Sequence, residues 1–341
     1  MRTITLGRTG IAVKQNAFGA LPIQRVSFDE AALLLNSALD GGMNFIDTAR
    51  AYSDSEEKIG RALSSRRSEY ILATKTQSET QEGFWNDLHA SLKALRTDVI
   101  DLYQLHCVKT CYGPDDETGL YDCLLKAREQ GKIKHIGITT HQLATAQEII
   151  ESDLYETLQY PFNYLASEHD IALVKASKDH NMGFIAMKAL SGGLITNAFA
   201  AMAFLSQYDN VVPIWGIQRE SELQEFLHMM TESPAMTAEY EAIIAKDRQE
   251  LAGDFCRGCG YCMPCPMDIP INDAARMSQL IRRSPSARWM TPEWQQKMER
   301  ITSCLHCGQC SAKCPYGLNT PALLLKNLTD YRKIISGEIK L

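Results

Sequence analysis

The stretch SFDEAALLLNSALDGGMNFID, residues 27–47, contains one helix followed by one strand. Ser27 and Glu30 have the spacing of a capping box, and the apolar residues between positions 31 and 39 recur at helical intervals before Gly41. The short apolar run that ends at Asp47 does not alternate with polar residues, which is typical of a parallel strand buried on both faces. The stretch therefore predicts the helix–strand unit from which α/β folds are built.

Similar units extend on both sides of this stretch over the first ~230 residues. The predicted strands lie near Asn16–Gly19, Asn44–Asp47, Tyr70–Lys75, Val99–Leu105, Lys134–Thr139, Glu156–Tyr160, Gly183–Lys188 and Val211–Gly216, after a hairpin around Gly7–Gly10. Eight strand–helix units favour a (β/α)8 TIM barrel, with a doubly wound open sheet as the alternative. No G-x-G-x-x-G motif follows the first strand, which argues against a Rossmann dinucleotide site.

The composition is that of a folded protein without a basic surface. The chain has 341 residues, of which 45% are hydrophobic and 22% charged, and its formal net charge is −6. These values exclude a disordered chain and argue against binding to nucleic acid or to an anionic membrane. The first residues, MRTITLGRTG, contain no apolar signal core, and no apolar run reaches the ~18 residues of a membrane span. We therefore expect a cytoplasmic protein.

The distribution of cysteines divides the chain into two parts. Eight of the eleven cysteines follow residue 255, and a helical pattern from Met236 to Leu251, with Gly253 as its predicted end, precedes them. We predict a barrel over residues 1–235, a linker helix over 236–254 and a C-terminal domain over 255–341. Clustered cysteines in a cytoplasmic protein more often bind metal than form disulfides.

The C-terminal cysteines form two dense runs, each ending in Cys-Pro, and the second proline is Pro315. The second run, C-x2-C-x2-C-x3-C-P, has the spacing of bacterial ferredoxins, and the first is one residue shorter. In such runs three cysteines hold one [4Fe-4S] cluster and the fourth ligates the other cluster. We assign one cluster to Cys256, Cys259, Cys262 and Cys314, and the other to Cys304, Cys307, Cys310 and Cys265. Zinc is the alternative, but a zinc ribbon needs only two C-x2-C pairs per metal.

Four polar side chains lie at or just after the predicted carboxyl ends of three consecutive strands. Asp47 ends the second strand, Tyr52 follows it, Lys75 ends the third strand and His106 follows the fourth. The carboxyl ends of barrel strands form the active-site face, so we expect these side chains to converge. We expect the lysine cation to lower the tyrosine pKa, the carboxylate to hold the lysine, and the histidine to polarise a carbonyl. Such a proton relay requires a cofactor that carries hydride.

Each of these residues also has a structural explanation when it is taken alone. Asp47 suits a helix cap, Lys75 a strand end that reaches solvent, Tyr52 a half-buried loop position and His106 a core histidine. Their occurrence together at neighbouring strand ends favours an active site over four independent structural roles.

Residues 2–230 resemble the aldo/keto reductase family. The resemblance rests on DTARAYSDSEEKIGRAL from Asp47, ATKT around Lys75, DLYQLH around His106, GKIKHIGIT before Thr140, and LQYPFN around Gln159. It implies that the four residues above are the catalytic tetrad, with Tyr52 as the general acid in carbonyl reduction. It also implies NADP or NAD lying extended across the barrel mouth.

Positions that match the family's nucleotide contacts are inferred from the same resemblance. They are Gly19, Ala20, Asp47, Thr139, Thr140, Gln159, Met187, Lys188, Leu190, Gly216, Gln218, Arg219 and Glu225. Among them, Thr140 and Gln159 are expected to hold the nicotinamide carboxamide.

The chain departs from the family pattern around the nucleotide. Thr140 stands where an asparagine is usual, Met187 where a tyrosine often stacks, and Gln218 where a lysine often holds the 2′-phosphate. Arg219 is adjacent and can pair with a phosphate instead. Phe226 replaces the asparagine that is usual near the adenine. The choice between NADPH and NADH is therefore open.

The C-terminal region resembles the tail of the iron–sulfur branch of the same family, in which CRGCGYCMPCP is a typical string. Helical patterns over Ile271–Arg283, from Thr291 to Arg300 and from about Thr320 give it the spacing of all-helical two-cluster ferredoxins.

Two smaller groups of residues complete the predictions. Three cysteines lie outside the two runs: Cys107, Cys111 and Cys123. They are expected to be structural, with an active-site role left open for the first two because they closely follow His106. Three aromatic residues are candidates for the walls of the substrate pocket: Trp85, Tyr112 and Trp215.

The two predicted halves transfer different numbers of electrons. Nicotinamide transfers a hydride and a cubane cluster transfers one electron, so a direct link needs a nicotinamide radical or a flavin. The preferred interpretation is a reductase of a small aldehyde or ketone, or the reverse alcohol dehydrogenase, whose clusters exchange electrons with a redox partner protein or stabilise the tail. The alternatives are an electron-transfer enzyme with bound flavin, which no residue indicates, and a redox-sensing binding module.

Overall fold

The computed structural model describes residues 1–114, 116–251, 255–283, 286–314 and 316–340. The chain divides into two compact units, residues 1–189 with 197–244, and residues 190–196 with 245–341. A helix, Ala238–Glu250, spans most of the predicted linker. Gly253, its predicted end, lies outside the described residues, as does Pro315.

The first unit is a closed barrel of eight parallel strands. A two-stranded antiparallel hairpin precedes it, formed by β1 (Thr3–Thr5) and β2 (Ala12–Lys14). The barrel strands are β3 (Ala17–Gly19), β4 (Phe45–Asp47), β5 (Ile71–Thr76), β6 (Ile100–Leu105), β7 (Ile133–Thr139), β8 (Thr157–Pro161), β9 (Gly183–Met187) and β10 (Val211–Gly216). They pair in chain order, and β10 pairs with β3. The predicted TIM barrel is confirmed, and the open sheet is excluded.

Helices alternate with the barrel strands. They are α1 (Phe28–Asp40), α2 (Ser55–Leu63), α3 (Gln81–Leu95), α4 (Leu120–Glu129), α5 (Leu143–Ser152), α6 (Glu168–Asp179), α7 (Ala198–Leu205) and α8 (Glu220–Thr231), followed by α9 (Ala238–Glu250). Helix α1 begins with the predicted capping box, in which the Ser27 hydroxyl accepts from the Glu30 backbone N–H and the Glu30 carboxylate accepts from the Ser27 backbone N–H.

The N-terminal hairpin covers the amino-terminal end of the barrel. Its apolar residues Ile4, Leu6 and Val13 join one buried cluster with inward-facing strand residues such as Phe45 and Leu102. Backbone contacts fix it there, since the Lys14 N–H donates to the Asn44 side chain just before β4. The opposite end, formed by the carboxyl ends of the strands, is the end at which the predicted site residues lie.

The second unit is helical and includes both cysteine runs. Its helices are α10 (Ile271–Ala274), α11 (Met277–Arg283), α12 (Pro292–Glu299), α13 (Gln309–Ala312) and α14 (Thr320–Ile335). The prediction of one helix over Ile271–Arg283 is wrong, because Asn327 of α14 binds two backbone groups at its centre. The Asn327 amide donates to the Ala275 carbonyl and accepts from the Ser278 N–H. In the part of the chain that is described, no helix is long and apolar enough to cross a bilayer.

Candidate active site and cysteine cavities

Neighbouring strands bring the four predicted catalytic side chains to one end of the barrel. Asp47 is the last residue of β4, Lys75 is the penultimate residue of β5, and His106 directly follows β6. Tyr52 lies in the turn between β4 and α2. The register pairs Lys75 with Gln104, so the ends of β5 and β6 lie at the same height.

Lys75 and Asp47 form a buried ion pair. The Lys75 Nζ donates to the Asp47 carboxylate at 2.6 Å and to the Thr48 carbonyl at 2.7 Å, and the two charged side chains are 1% and 2% exposed. Burial lowers the pKa of Lys75 and raises the pKa of Asp47, while their mutual attraction opposes both changes. The pair thus holds an ammonium group in a fixed position at the base of the site.

Tyr52 lies over this ammonium group and against His106. The Lys75 Nζ is 5.3 Å from the centroid of the Tyr52 ring, and the Tyr52 and His106 rings meet edge to face at 5.7 Å. The expected lowering of the Tyr52 pKa is wrong. Burial raises it, and the negative charges of Asp47 and Cys107 raise it further. Tyr52 is therefore a protonated phenol at neutral pH, which is the form that can donate a proton.

His106 is a neutral imidazole at physiological pH. Burial, followed by the positive charges of Lys75, His141 and Lys188, holds its pKa well below the usual value. A neutral imidazole keeps one N–H and can donate it to a carbonyl oxygen. Tyr52 and His106 together thus offer two donors at one location.

The sequence interpretation missed one polar residue inside the barrel. Gln104 donates to the Gln159 side-chain oxygen at 3.0 Å and lies 3.5 Å from the second Asp47 carboxylate oxygen. Gln159 also approaches Asp47, at 3.5 Å. A polar side chain in the middle of the buried run IDLYQL was the available signal, because a buried amide requires hydrogen-bond partners.

Two predicted nucleotide contacts, Thr139 and Thr140, have side-chain hydroxyls that bind the neighbouring loop after β6. The Thr139 hydroxyl accepts from the Cys107 N–H at 2.7 Å, and the Thr140 hydroxyl donates to the Val108 carbonyl at 2.8 Å. Both threonines are buried. They hold the loop after β6 against the end of β7, which is a structural role beside any contact with a ligand.

In the loop between β10 and α8, backbone N–H groups bind a carboxylate of the protein itself. Glu222 accepts from the N–H groups of Gln218 and Arg219 at 2.9 and 3.1 Å. The Arg219 guanidinium is 3.7 Å from the same carboxylate. Burial, with the charge of Glu222, raises the pKa of the half-buried Glu225. Gln218 and Arg219, which occupy the predicted 2′-phosphate position, therefore lie next to carboxylates of the protein itself.

The other predicted nucleotide positions differ in exposure. Gly19, Ala20 and Met187 are buried, Lys188 is half-buried, and Gly216 is exposed. Leu190 belongs to the second unit, whereas all the other predicted nucleotide positions belong to the first.

Trp215, a predicted wall of the substrate pocket, packs on Phe226. Their rings stack at 4.7 Å with an interplanar angle of 20°, and the side chains are 1% and 2% exposed. Trp215 is thus a core residue of the barrel rather than an exposed wall of a pocket.

The eight C-terminal cysteines line two cavities in the second unit. The first cavity has an empty volume of about 330 Å³, and its cysteines are Cys256, Cys259, Cys262 and Cys314. The second has an empty volume of about 420 Å³, and its cysteines are Cys265, Cys304, Cys307, Cys310 and again Cys262. Each cavity thus contains cysteines of both runs, in the crossed arrangement that the spacing predicts.

The chemistry of these cavities suits a multinuclear centre. Burial and the charges of Cys256 and Cys259 raise the pKa of Cys262 to about 12, so a bound cation is needed to stabilise thiolates there. Among the described residues, no three His, Cys, Asp or Glu side chains converge closely enough to hold a single metal ion. Each cavity is lined by at least four cysteines, the number of ligands that a [4Fe-4S] cluster needs.

Comparison with known proteins places both units. Residues 15–204 match the model of the aldo/keto reductase family. The chain belongs to the aldo/keto reductase family. Residues 255–319 match the model of a 4Fe-4S dicluster domain, so this family member carries a ferredoxin-type second unit.

Individual relatives match the barrel region. Aldo-keto reductase YhdN of Bacillus subtilis is 28% identical over 215 residues, which cover 58% of this chain and 64% of that protein. L-galactose dehydrogenase of Arabidopsis thaliana is 30% identical over 213 residues, 56% of this chain and 66% of that protein. The chain therefore spans just under two thirds of the length of these relatives.

Solved structures share the fold. An aldo-keto reductase from Bacillus halodurans, described as a holo form, superposes with a TM-score of 0.63 at 21% identity, over 72% of this chain and 96% of that chain. An aldo/keto reductase from Klebsiella pneumoniae in complex with NADP and acetate superposes with a TM-score of 0.62 at 18% identity, over 72% and 94% of the two chains.

Proposed function

We propose that the barrel reduces a small aldehyde or ketone, or oxidises the corresponding alcohol, with NADH or NADPH as the hydride carrier. The observation that carries the proposal is the convergence of Tyr52, His106 and the Lys75–Asp47 pair at one end of the barrel. The family membership supports it, and the relatives named above are a reductase and a dehydrogenase.

The donor set fits a nicotinamide reaction. A protonated phenol and a neutral imidazole are the two groups that a carbonyl oxygen needs when it gains negative charge during reduction. The nicotinamide, when bound, supplies or accepts the hydride. The fit is weaker at the predicted phosphate end, where Glu222 already binds the backbone N–H groups of Gln218 and Arg219.

The side chains then have separate tasks in reduction. His106 donates a hydrogen bond to the carbonyl oxygen and orients it, and Tyr52 gives its proton to that oxygen. The Lys75 ammonium, fixed by Asp47, stabilises the phenolate that remains. Gln104 and Gln159 hold Asp47 through their amide groups, so the ion pair keeps its position. In alcohol oxidation the same proton returns to Tyr52.

The test is the Tyr52→Phe variant assayed for carbonyl reduction. We expect kcat to fall by about 10²- to 10⁴-fold while nucleotide affinity changes little, because only the proton donor is lost. Tyr70→Phe, at a buried tyrosine just before the amino end of β5, is the matched control and is expected to keep full activity. An unchanged kcat in the Tyr52→Phe variant would contradict the assignment of Tyr52 as the general acid.

For the second unit we propose two [4Fe-4S] clusters, in the first and second cysteine cavities. Iron and sulfide analysis of anaerobically purified protein is expected to give about eight irons per chain. Zinc in place of iron would overturn this assignment.

Electron exchange with a redox partner protein is the second candidate function, and one observation favours it. Cys307 is exposed and Leu305 beside it is 64% exposed, so the second cavity borders solvent with an apolar side chain at its rim. A cluster there is open to one-electron transfer. If this is its role, a one-electron mediator should oxidise dithionite-reduced clusters within seconds, and Leu305→Glu should slow a protein acceptor more than the mediator.

A further inference from the structure

A thiol and an imidazole lie next to the tetrad and have no task in the proposed reaction. Cys107 directly follows His106, and its Sγ is 3.4 Å from Nδ1 of His141. His141 is 5% exposed, whereas Cys107 is half-buried. Both residues belong to the barrel unit and follow the carboxyl ends of adjacent strands, β6 and β7.

The backbone fixes the direction of this thiol. Cys107 has a φ of +59°, in the left-handed region that residues other than glycine rarely adopt. Its N–H donates to the Thr139 hydroxyl, and the next N–H, of Val108, donates to the Thr139 carbonyl at 2.8 Å. These two bonds stabilise the strained turn and hold the cysteine against the end of β7. Strain of this kind is concentrated at functional sites.

The pair is electrostatically linked to the tetrad. The negative charge of a Cys107 thiolate is one of the causes that raise the pKa of Tyr52, and the positive charge of His141 is one of those that lower the pKa of His106. A change of charge at Cys107 therefore affects Tyr52, and a change of charge at His141 affects His106.

We propose that Cys107 and His141 form a nucleophilic thiol–imidazole pair that exchanges with small-molecule disulfides. A nucleophile within hydrogen-bond distance of a base is the arrangement that activates cysteines in enzymes. His141 Nδ1 accepts the Sγ proton, and the thiolate attacks one sulfur of the disulfide. A new S–S bond forms to Cys107, the original S–S bond breaks, and the leaving thiolate takes the proton. Cys107 is oxidised and the released half of the disulfide is reduced.

Cys111 is the matched reference within the same chain. It has the same intermediate exposure as Cys107 but faces Ser152 and Glu148. Burial raises the pKa of the Cys111 thiol, and the Glu148 charge raises it further. Since a thiol reacts through its thiolate, Cys111 is expected to react slowly.

The experiment uses the full-length protein, purified anaerobically, and reads each cysteine separately by peptide mass spectrometry. At pH 7.5 we expect iodoacetamide to label Cys107 at least about tenfold faster than Cys111. We also expect 2-hydroxyethyl disulfide to form a mixed disulfide at Cys107. Because the labels are mapped to peptides, cluster cysteines do not enter the comparison. Neither measurement depends on carbonyl reductase activity. The inference is therefore tested independently of the proposed function.

His141→Asn tests the role of the imidazole. This variant is expected to slow Cys107 labelling about tenfold and to leave Cys111 unchanged. If Cys111 is labelled faster in this variant, the variant has lost its local fold. The proposal is then tested by the Cys107 and Cys111 labelling rates of the unmutated protein. Equal rates at Cys107 and Cys111 would overturn the proposal, as would an unaltered Cys107 rate in a folded His141→Asn protein. Fast alkylation without a mixed disulfide would overturn the choice of reactant.

Discussion

The Lys75 Nζ lies 2.6 Å from the Asp47 carboxylate and 5.3 Å from the centre of the Tyr52 ring. Its short bond is directed to the carboxylate, and burial dominates the environment of the phenol. The ammonium group therefore offsets part of the cost of forming a phenolate, while burial keeps the Tyr52 phenol protonated.

Removing the ammonium group should destabilise the barrel strongly. Lys75→Met leaves the Asp47 carboxylate buried without its cation, which costs about 3–5 kcal/mol of unfolding free energy. Urea denaturation of the full chain measures it. The control is Lys134→Met, whose lysine also binds a carboxylate at 2.7 Å but is 58% exposed, and it should cost less than about 1 kcal/mol. The double variant Asp47→Asn with Lys75→Met should regain much of the loss. Equal costs for the two lysines would contradict this account.

Alcohol oxidation should accelerate with pH beyond the usual range of a tyrosine. In this direction Tyr52 must accept a proton, and only the deprotonated phenol can do so. Because its pKa is raised above 10, the deprotonated fraction grows about tenfold per pH unit without reaching a plateau. A profile of log kcat/KM between pH 7 and 10 should keep a slope near 1. A plateau below pH 9 would mean that the Tyr52 pKa is lowered overall rather than raised.

Neutralising Glu222 should favour NADPH over NADH. Glu222 binds the N–H groups of Gln218 and Arg219 and adds negative charge where a 2′-phosphate is expected. Glu222→Gln should tighten NADPH binding about tenfold and change NADH binding by less than about twofold. Fluorescence titration measures both dissociation constants. Glu220→Gln, on the same turn of α8 and exposed, removes the same charge and should have a much smaller effect.

The proposed crossed ligation of two clusters can be tested by combining variants. Cys265 belongs to the first run but lines the second cavity with Cys307, whereas Cys314 lines the first cavity. The double variant Cys265→Ser with Cys307→Ser should lose about half of the iron, no more than either single variant. Cys314→Ser with Cys307→Ser should lose nearly all of it.

Iron analysis of anaerobically purified protein is the measurement for these variants. Cys123→Ser, at a buried cysteine of α4, is the control and should keep its full iron content. Loss of all iron in the Cys265–Cys307 pair would refute the crossed pattern.

The sequence predicts the barrel well because most of its strands are short, mainly apolar runs that are buried on both faces. The eight predicted strands agree with the observed strands to within a residue or two at each end, and the capping box of α1 is present as expected. The positions of Asp47, Lys75 and His106 at strand ends follow from the same runs, so their convergence needed no further information.

Other features depend on tertiary contacts that local patterns do not contain. The break between α10 and α11 is made by Asn327, some 50 residues further along the chain. The direction of the Tyr52 pKa depends on the balance between burial and a lysine already bound to Asp47. The carboxylate of Glu222 resembles an ordinary first-turn acid of a helix until its hydrogen bonds to the preceding loop are known.

The N-terminal hairpin limits the routes by which small molecules can enter and leave the barrel. Ile4, Leu6 and Val13 fill the amino-terminal end, so a molecule that reaches Tyr52 departs by the route through which it arrived. Of two occupants, the one seated deeper must arrive first and depart last. The order of events in a catalytic cycle is thus constrained by a segment that lies at the far end from the chemistry.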